Sequence, residues 1–305
     1  MSREEPMTVE GVRFAYLLDN LVLTPTQRAG GNTAWRGVAR RLNQLYWDID
    51  GHRQNTLLIG SWGKRTAVRP PTDIDLLFVL PNDLKDRYRG MSGAMNAPSR
   101  VLQLVRNRLL GHYPATAIRG DGPIISVPLR SMRVEVVPVF KFGERFQSCE
   151  TSGGGTFRVF DPRAELRALE NSNRRTRGST KDLIRLAKCW RYCDTVPLKA
   201  FAIELLTIAF LNQWRYAPVG IDEYPRMLVQ FFDYLVRRSG GRVSVPGANE
   251  TVWLGDAWKG RAERAASRAR HALSWANAGN ELEAGRWWQA IFGTYVPMQL
   301  MHDAA

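Results

Sequence analysis

The chain has 305 residues, 44% of them hydrophobic, enough to fill one large or two ordinary cores. A formal charge of +14 favours polyanionic partners, such as nucleotides, nucleic acid or an anionic surface, and disfavours a cationic ligand. Three cysteines (Cys149, Cys189 and Cys193) without a CxxC pair exclude a disulfide framework and a cysteine zinc site, and they read as buried thiols.

The start, MSREEPM, is charged and lacks the apolar stretch of a secretory signal. The longest apolar run, Ala200–Leu211, falls short of the ~20 residues of a bilayer span and contains Glu204. A cytoplasmic chain with no membrane segment is expected. A short helix is predicted at Val9–Leu21 and a long one at Thr26–Trp47. In the latter Trp35, Val38, Leu42, Leu45 and Tyr46 recur at helical spacing with Arg36, Arg40 and Arg41 between them. Strands follow at Thr56–Ile59, Asp73–Leu80, Thr116–Arg119, Ile124–Val127 and Met132–Phe140, with a helix at Pro98–Leu110. Ser148–Thr156, containing Gly153-Gly154-Gly155, reads as a flexible connection. Beyond it only helices are predicted: Arg163–Asn171, Thr180–Tyr192, Leu198–Trp214, Tyr224–Arg238, Ala257–Ala278 and Leu282–Phe292. Alanines 262, 265, 266, 269 and 272 suit the fifth of these to close packing. The expected fold is α+β, with residues 1–160 as a core carrying the N-terminal helices and residues 161–305 as a helical lobe closing a cleft.

The chemistry concentrates in Gly60-Ser61 and in Asp73-Ile74-Asp75. Residues two apart on a strand share a face, so both aspartates point one way while Ile74, Leu76 and Phe78 point into a core. Paired carboxylates repel one another, and a hard divalent cation relieves the repulsion; Mg²⁺ suits one or two carboxylates plus substrate phosphates. A strand that ends in Gly-Ser offers backbone N–H groups and a hydroxyl to phosphate oxygens. The structural alternative is that the aspartates are turn or capping residues. Strand, Gly-Ser, a loop of eleven residues, then Asp-x-Asp entering a second strand resembles the DNA-polymerase-β-like nucleotidyltransferases. That pattern needs a third acid on a nearby strand. Glu135, the only acid of Met132–Phe140, supplies it unless it is merely a strand glutamate paired with an arginine.

Three further segments extend the resemblance to the bacterial cyclic GMP–AMP synthase/DncV-like nucleotidyltransferases, the CD-NTases of anti-phage CBASS systems. Leu183–Trp190 resembles that family's RLxKxW helix, Ala200–Leu206 its SFxLELL helix, and Trp288–Pro297 its closing IFG segment. The long first helix is similar to its spine. The resemblance implies a polymerase-β-like core that uses two Mg²⁺, with Mn²⁺ able to substitute, on Asp73, Asp75 and Glu135. It also implies nucleoside triphosphate substrates and a cyclic product that diffuses to a separate effector. Glu135 departs from the family's usual aspartate by one methylene.

Gly60, Ser61, Lys64, Lys188 and Lys199 are the expected phosphate contacts. Lys188 belongs to a basic stripe with Lys181 and Arg185, and Lys199 stands beside Ala200, where the family often has a serine. Trp190, Tyr192 and Trp214 read either as base-stacking or as core residues. The four histidines (His52, His112, His271 and His302) form no cluster. Competing readings are a linear or RNA-tailing transferase, and a decayed scaffold that binds nucleic acid. Nucleic acid on the basic long helix is also a candidate activator.

Overall fold

The computed structural model of the chain describes residues 7–89 and 96–300; residues 1–6 of the charged start and His302 lie outside these. The described chain forms two compact units. One spans Leu23–Leu166, and the other joins the first helix to the chain from Arg167 onward. Helix α1 (Val9–Leu21) belongs to the second unit and α2 (Pro25–Trp47) opens the first.

Helix α2 starts where its caps direct. The Thr24 hydroxyl accepts from the Gln27 N–H, the Gln27 amide oxygen accepts from the Thr24 N–H, and Pro25 fills the first helical position. Next come β1 (Thr56–Leu58), the single turn α3 (Gly60–Gly63), β2 (Asp73–Leu80), α4 (Asn82–Arg89) and α5 (Ala97–His112). Strands β3 (Arg119–Asp121), β4 (Ile124–Pro128), β5 (Arg133–Phe142), β6 (Arg145–Glu150) and β7 (Thr156–Phe160) complete the sheet.

The sheet order is β1-β2-β5-β4-β3, with β6 on the second half of β5 and β7 on β6. The central pair, β2 and β5, runs parallel, and its near-continuous apolar sequences suit strands covered on both faces. Ile74, Leu76, Phe78 and Leu80 enter a core with Val38 and Leu42 of α2 and Val101 and Val105 of α5. Leu77, Val137, Val139 and Phe146 pack on the opposite face.

Two expectations are corrected here, and one helix is added. Ser148–Thr156 is no flexible connection: Ser148 to Glu150 lie in β6, and the three glycines turn the chain into β7. The β6 sequence reads as loop because Gln147 and Ser148 are polar. Both are buried, and each is hydrogen-bonded, Gln147 accepting from Lys85 Nζ and Ser148 donating to Glu150. The strand expected at Thr116–Arg119 starts at Arg119. Helix α4, which buries only Leu84, has no apolar stripe to announce it in the sequence.

The second unit holds the latter part of α6 (Pro162–Arg175), then α7 (Ser179–Cys193), α8 (Ala200–Gln213), α9 (Tyr224–Arg238), α10 (Lys259–Asn277) and α11 (Glu281–Phe292). It also holds an unexpected hairpin, β8 (Arg242–Ser244) with β9 (Thr251–Trp253). The alanine face of α10 is buried, with α9 and α11 packed on that helix as its small residues allow. Helix α1, expected with residues 1–160, packs in this unit instead. Its buried Phe14 meets the edge of Trp288 with ring centroids 5.0 Å apart, and Arg13 reaches the carbonyls of Pro297 and Met298. Among the described residues no helix is long and apolar enough to cross a membrane.

Candidate active site

Strands β2 and β5 align so that Asp73 lies across from Arg133 and Asp75 across from Glu135. Alternation then places all four side chains on one face, above the rows of Leu77, Val137 and Val139. Glu135 of the second strand thus lies beside the aspartate pair.

The Gly60-Ser61 turn follows β1 and lies against Asp75. Gly60 has φ +54°, and a Cβ there would overlap the Asp75 carboxylate, so both conformation and space require glycine. The turn is tied down by Ile59 N–H donating to the Asp75 carbonyl (3.0 Å) and Thr66 N–H donating to the Ser61 carbonyl (2.8 Å). The Trp62 ring lies against Gly31 of α2, where any side chain would collide with it. The glycine inside the long helix thereby positions the turn.

Burial pushes the Glu135 carboxyl above its usual range. Asp73, Asp75 and Asp121 of β3 add to the rise, and Arg133 opposes it. Among the described residues no three His, Cys, Asp or Glu side chains are gathered closely enough to hold a metal ion. The Arg133 guanidinium lies among the acids, 3.6 Å from Glu135 and 4.0 Å from Asp73. The three acids expected to hold metal form one block with the arginine. Its donors, all hard carboxylate oxygens, suit Mg²⁺. Sequence reasoning misses Arg133 and Asp121. The spacing of Arg133 and Glu135, two apart on one strand, is the available signal for the first.

A raised carboxylate pKa has a stability consequence of definite sign. The folded state holds the Glu135 proton more tightly than the unfolded state, so this group's contribution falls as pH rises through the folded pKa. Glu135→Gln should therefore stabilise the metal-free protein at neutral pH, and the gain should disappear near and below the ordinary carboxylate pKa. Thermal melts in chelator at those two pH values check this.

Two of the three candidate lysines are buried in ion pairs. Lys64 is only 5% exposed and bonds Glu165 at 3.0 Å; Lys188 is 8% exposed and bonds Glu204 at 2.6 Å. Burying a lysine calls for a counter-charge, and these carboxylates meet it. Lys181 pairs with Glu170 and Arg185 with Asp182, so the basic stripe is neutralised in place. Lys199 is exposed at the start of α8. Trp190 and Trp214 are core residues, whereas Tyr192 is exposed. Cys149 and Cys189 are buried, but Cys193 is exposed, contrary to expectation. On α2, Arg40 pairs with Asp50 and Arg36 lies over Trp35.

The family model for the Second Messenger Oligonucleotide or Dinucleotide Synthetase (SMODS) domain matches residues 7–173, more than half of the chain. The chain belongs to the SMODS family. It is thereby a nucleotidyltransferase of the cyclic-oligonucleotide synthase kind. This SMODS protein is 23% identical over 276 residues to a cyclic AMP-AMP-AMP synthase of Acinetobacter sp., covering 82% of the chain and 75% of the relative. It is 21% identical over 274 residues to a probable cyclic nucleotide synthase of Bacillus cereus, covering 78% and 81%. Among solved structures, Escherichia coli MS115-1 CdnC with ATP shares the fold at TM-score 0.67 and 19% identity, over 95% of this chain and 99% of that one. A mutant Vibrio cholerae di-nucleotide cyclase (DncV) in complex with ATP and GTP does so at TM-score 0.70 and 13% identity, over 98% and 100%. The α+β core with its long helix, expected from the sequence, is the SMODS fold.

Proposed function

We propose that this SMODS protein joins nucleoside triphosphates into a cyclic oligonucleotide in an Mg²⁺-dependent reaction centred on Asp73, Asp75 and Glu135. One observation carries the reading: three carboxylates share a face of two adjacent parallel strands, with the Gly60-Ser61 turn folded onto Asp75. Asp73, Asp75 and Glu135 are the residues that would hold two Mg²⁺, or Mn²⁺ in their place. When bound, such ions supply charge neutralisation at the transferred phosphoryl group and acidify the attacking hydroxyl.

Glu135 is assigned to help deprotonate the attacking ribose hydroxyl. The Ser61 hydroxyl and the N–H groups of its turn are assigned to the donor's terminal phosphates, and Gly60 lets the turn close onto Asp75. Lys64 is paired with Glu165 and Lys188 with Glu204.

The name of the Acinetobacter relative supports ATP among the substrates. The product is read as a second messenger that activates a separate effector in anti-phage defence. The test is mass spectrometry of the product made from the four nucleoside triphosphates with Mg²⁺, after phosphatase treatment. A phosphatase-resistant ring formed without primer is expected. A product that grows on an added primer would make the protein a tailing enzyme, and no product with either metal would leave a polyanion binder.

A further inference from the structure

The acid block contains a fourth charged member that the reaction as proposed does not use. Arg133 opens β5 directly across from Asp73 and two residues before Glu135, so it occupies the remaining corner of a square with Asp73, Asp75 and Glu135. Its Nε is 3.6 Å from Glu135 Oε1 and its Nη2 is 4.0 Å from Asp73 Oδ2. One guanidinium thus spans two acids on neighbouring strands, a planar fork suited to more than one carboxylate. The arginine side chain is 48% exposed while Glu135 is only 19% exposed, so the guanidinium can leave toward solvent and the acid cannot.

We propose that Arg133 is the resident counter-ion of the acid cluster, bridging Asp73 and Glu135 in the metal-free protein and displaced when divalent metal binds. The inference rests on the reading that these carboxylates hold metal. A permanently charged guanidinium at ion-pair distance offsets part of the repulsion among the acids and competes with any cation for the same oxygens. It sets a threshold: free metal binds weakly, and the cluster stays intact until the ions arrive.

The test is titration of Mg²⁺, and separately of Mn²⁺, without nucleotide, followed by calorimetry and by the shift in melting temperature. Arg133→Gln should bind Mg²⁺ roughly three- to tenfold more tightly than the parent, the Coulomb effect of removing one partly screened charge. In chelator it should melt below the parent, and saturating metal should narrow the gap. Arg133→Lys, which keeps the charge without the fork, should fall between them. A merely structural arginine would lower stability without tightening metal binding. If the parent responds to metal but Arg133→Gln binds it equally or more weakly, the counter-ion role is overturned and the metal site stands. If the parent shows no metal response that Asp75→Asn removes, the metal site falls and the inference with it.

Discussion

Asp75→Asn should fold as the parent does and form no detectable cyclic product from the four nucleoside triphosphates with Mg²⁺. The substitution is nearly isosteric, and the new amide can occupy the space against Gly60 that the carboxylate fills. It removes the charge that sits directly across from Glu135. Asp75 is one of the three carboxylates that would hold the ions, so losing its charge should cost about 10³-fold or more in rate, about 4 kcal/mol of transition-state stabilisation. The stability effect runs the other way. Asp75 is one of the charges that raise the Glu135 pKa, so deleting it relieves repulsion, and the metal-free variant should melt at or above the parent. Activity lost while stability is held or gained is the signature of a functional carboxylate rather than a capping one. Undiminished synthesis by a folded Asp75→Asn protein would overturn the assignment.

Parts of this arrangement are legible in the amino-acid sequence alone. The two core strands announce themselves as apolar runs, and Asp73 with Asp75 must share a face because the strand period is two. Gly60 can be read as a close approach, though not what approaches it, which is Asp75 itself. The register is illegible: that Asp75 meets Glu135 depends on a parallel pairing between segments sixty residues apart, with two helices and a hairpin between them. Lys188 shows the same limit. A basic stripe on α7 and a glutamate inside the apolar α8 are both visible in the sequence, but only packing of α7 on α8 brings Glu204 to the lysine. The stripe reads as an anion clamp because charge is visible and its partner is not. Proximity along the chain assigns helix α1 to the first unit, yet the long-range hydrogen-bond partners of the helix and its cap lie 214 to 285 residues away.

Those distant neighbours set the largest stability effect expected in the molecule. Arg13 is completely buried. Its Nε bonds Glu10 at 3.0 Å, its Nη1 donates to the carbonyls of Pro297 and Met298 at 2.6 and 2.8 Å, and its Nη2 donates to that of Glu281 at 2.9 Å. Glu10 in turn accepts from the Trp288 indole at 2.6 Å. The guanidinium therefore neutralises a buried acid and donates to three backbone carbonyls, two of which, those of Pro297 and Met298, lie beyond the last helix. Arg13→Met keeps most of the volume but strands the Glu10 charge and those carbonyls without their donor. Breaking a buried pair from one side costs about 3–5 kcal/mol, so the melting temperature of the helical unit should drop by about 10 °C or more. Adding Glu10→Gln to Arg13→Met removes the stranded charge while keeping an acceptor for Trp288, and it should recover part of that loss. A double-mutant cycle measured by thermal melts separates the outcomes. Recovery in the double variant identifies a buried ion pair clasping the N-terminal helix to the C-terminal segment. Simple additivity, or an Arg13→Met protein melting within about 1 °C of the parent, would show that the packing of Phe14 on Trp288 holds the helix without it.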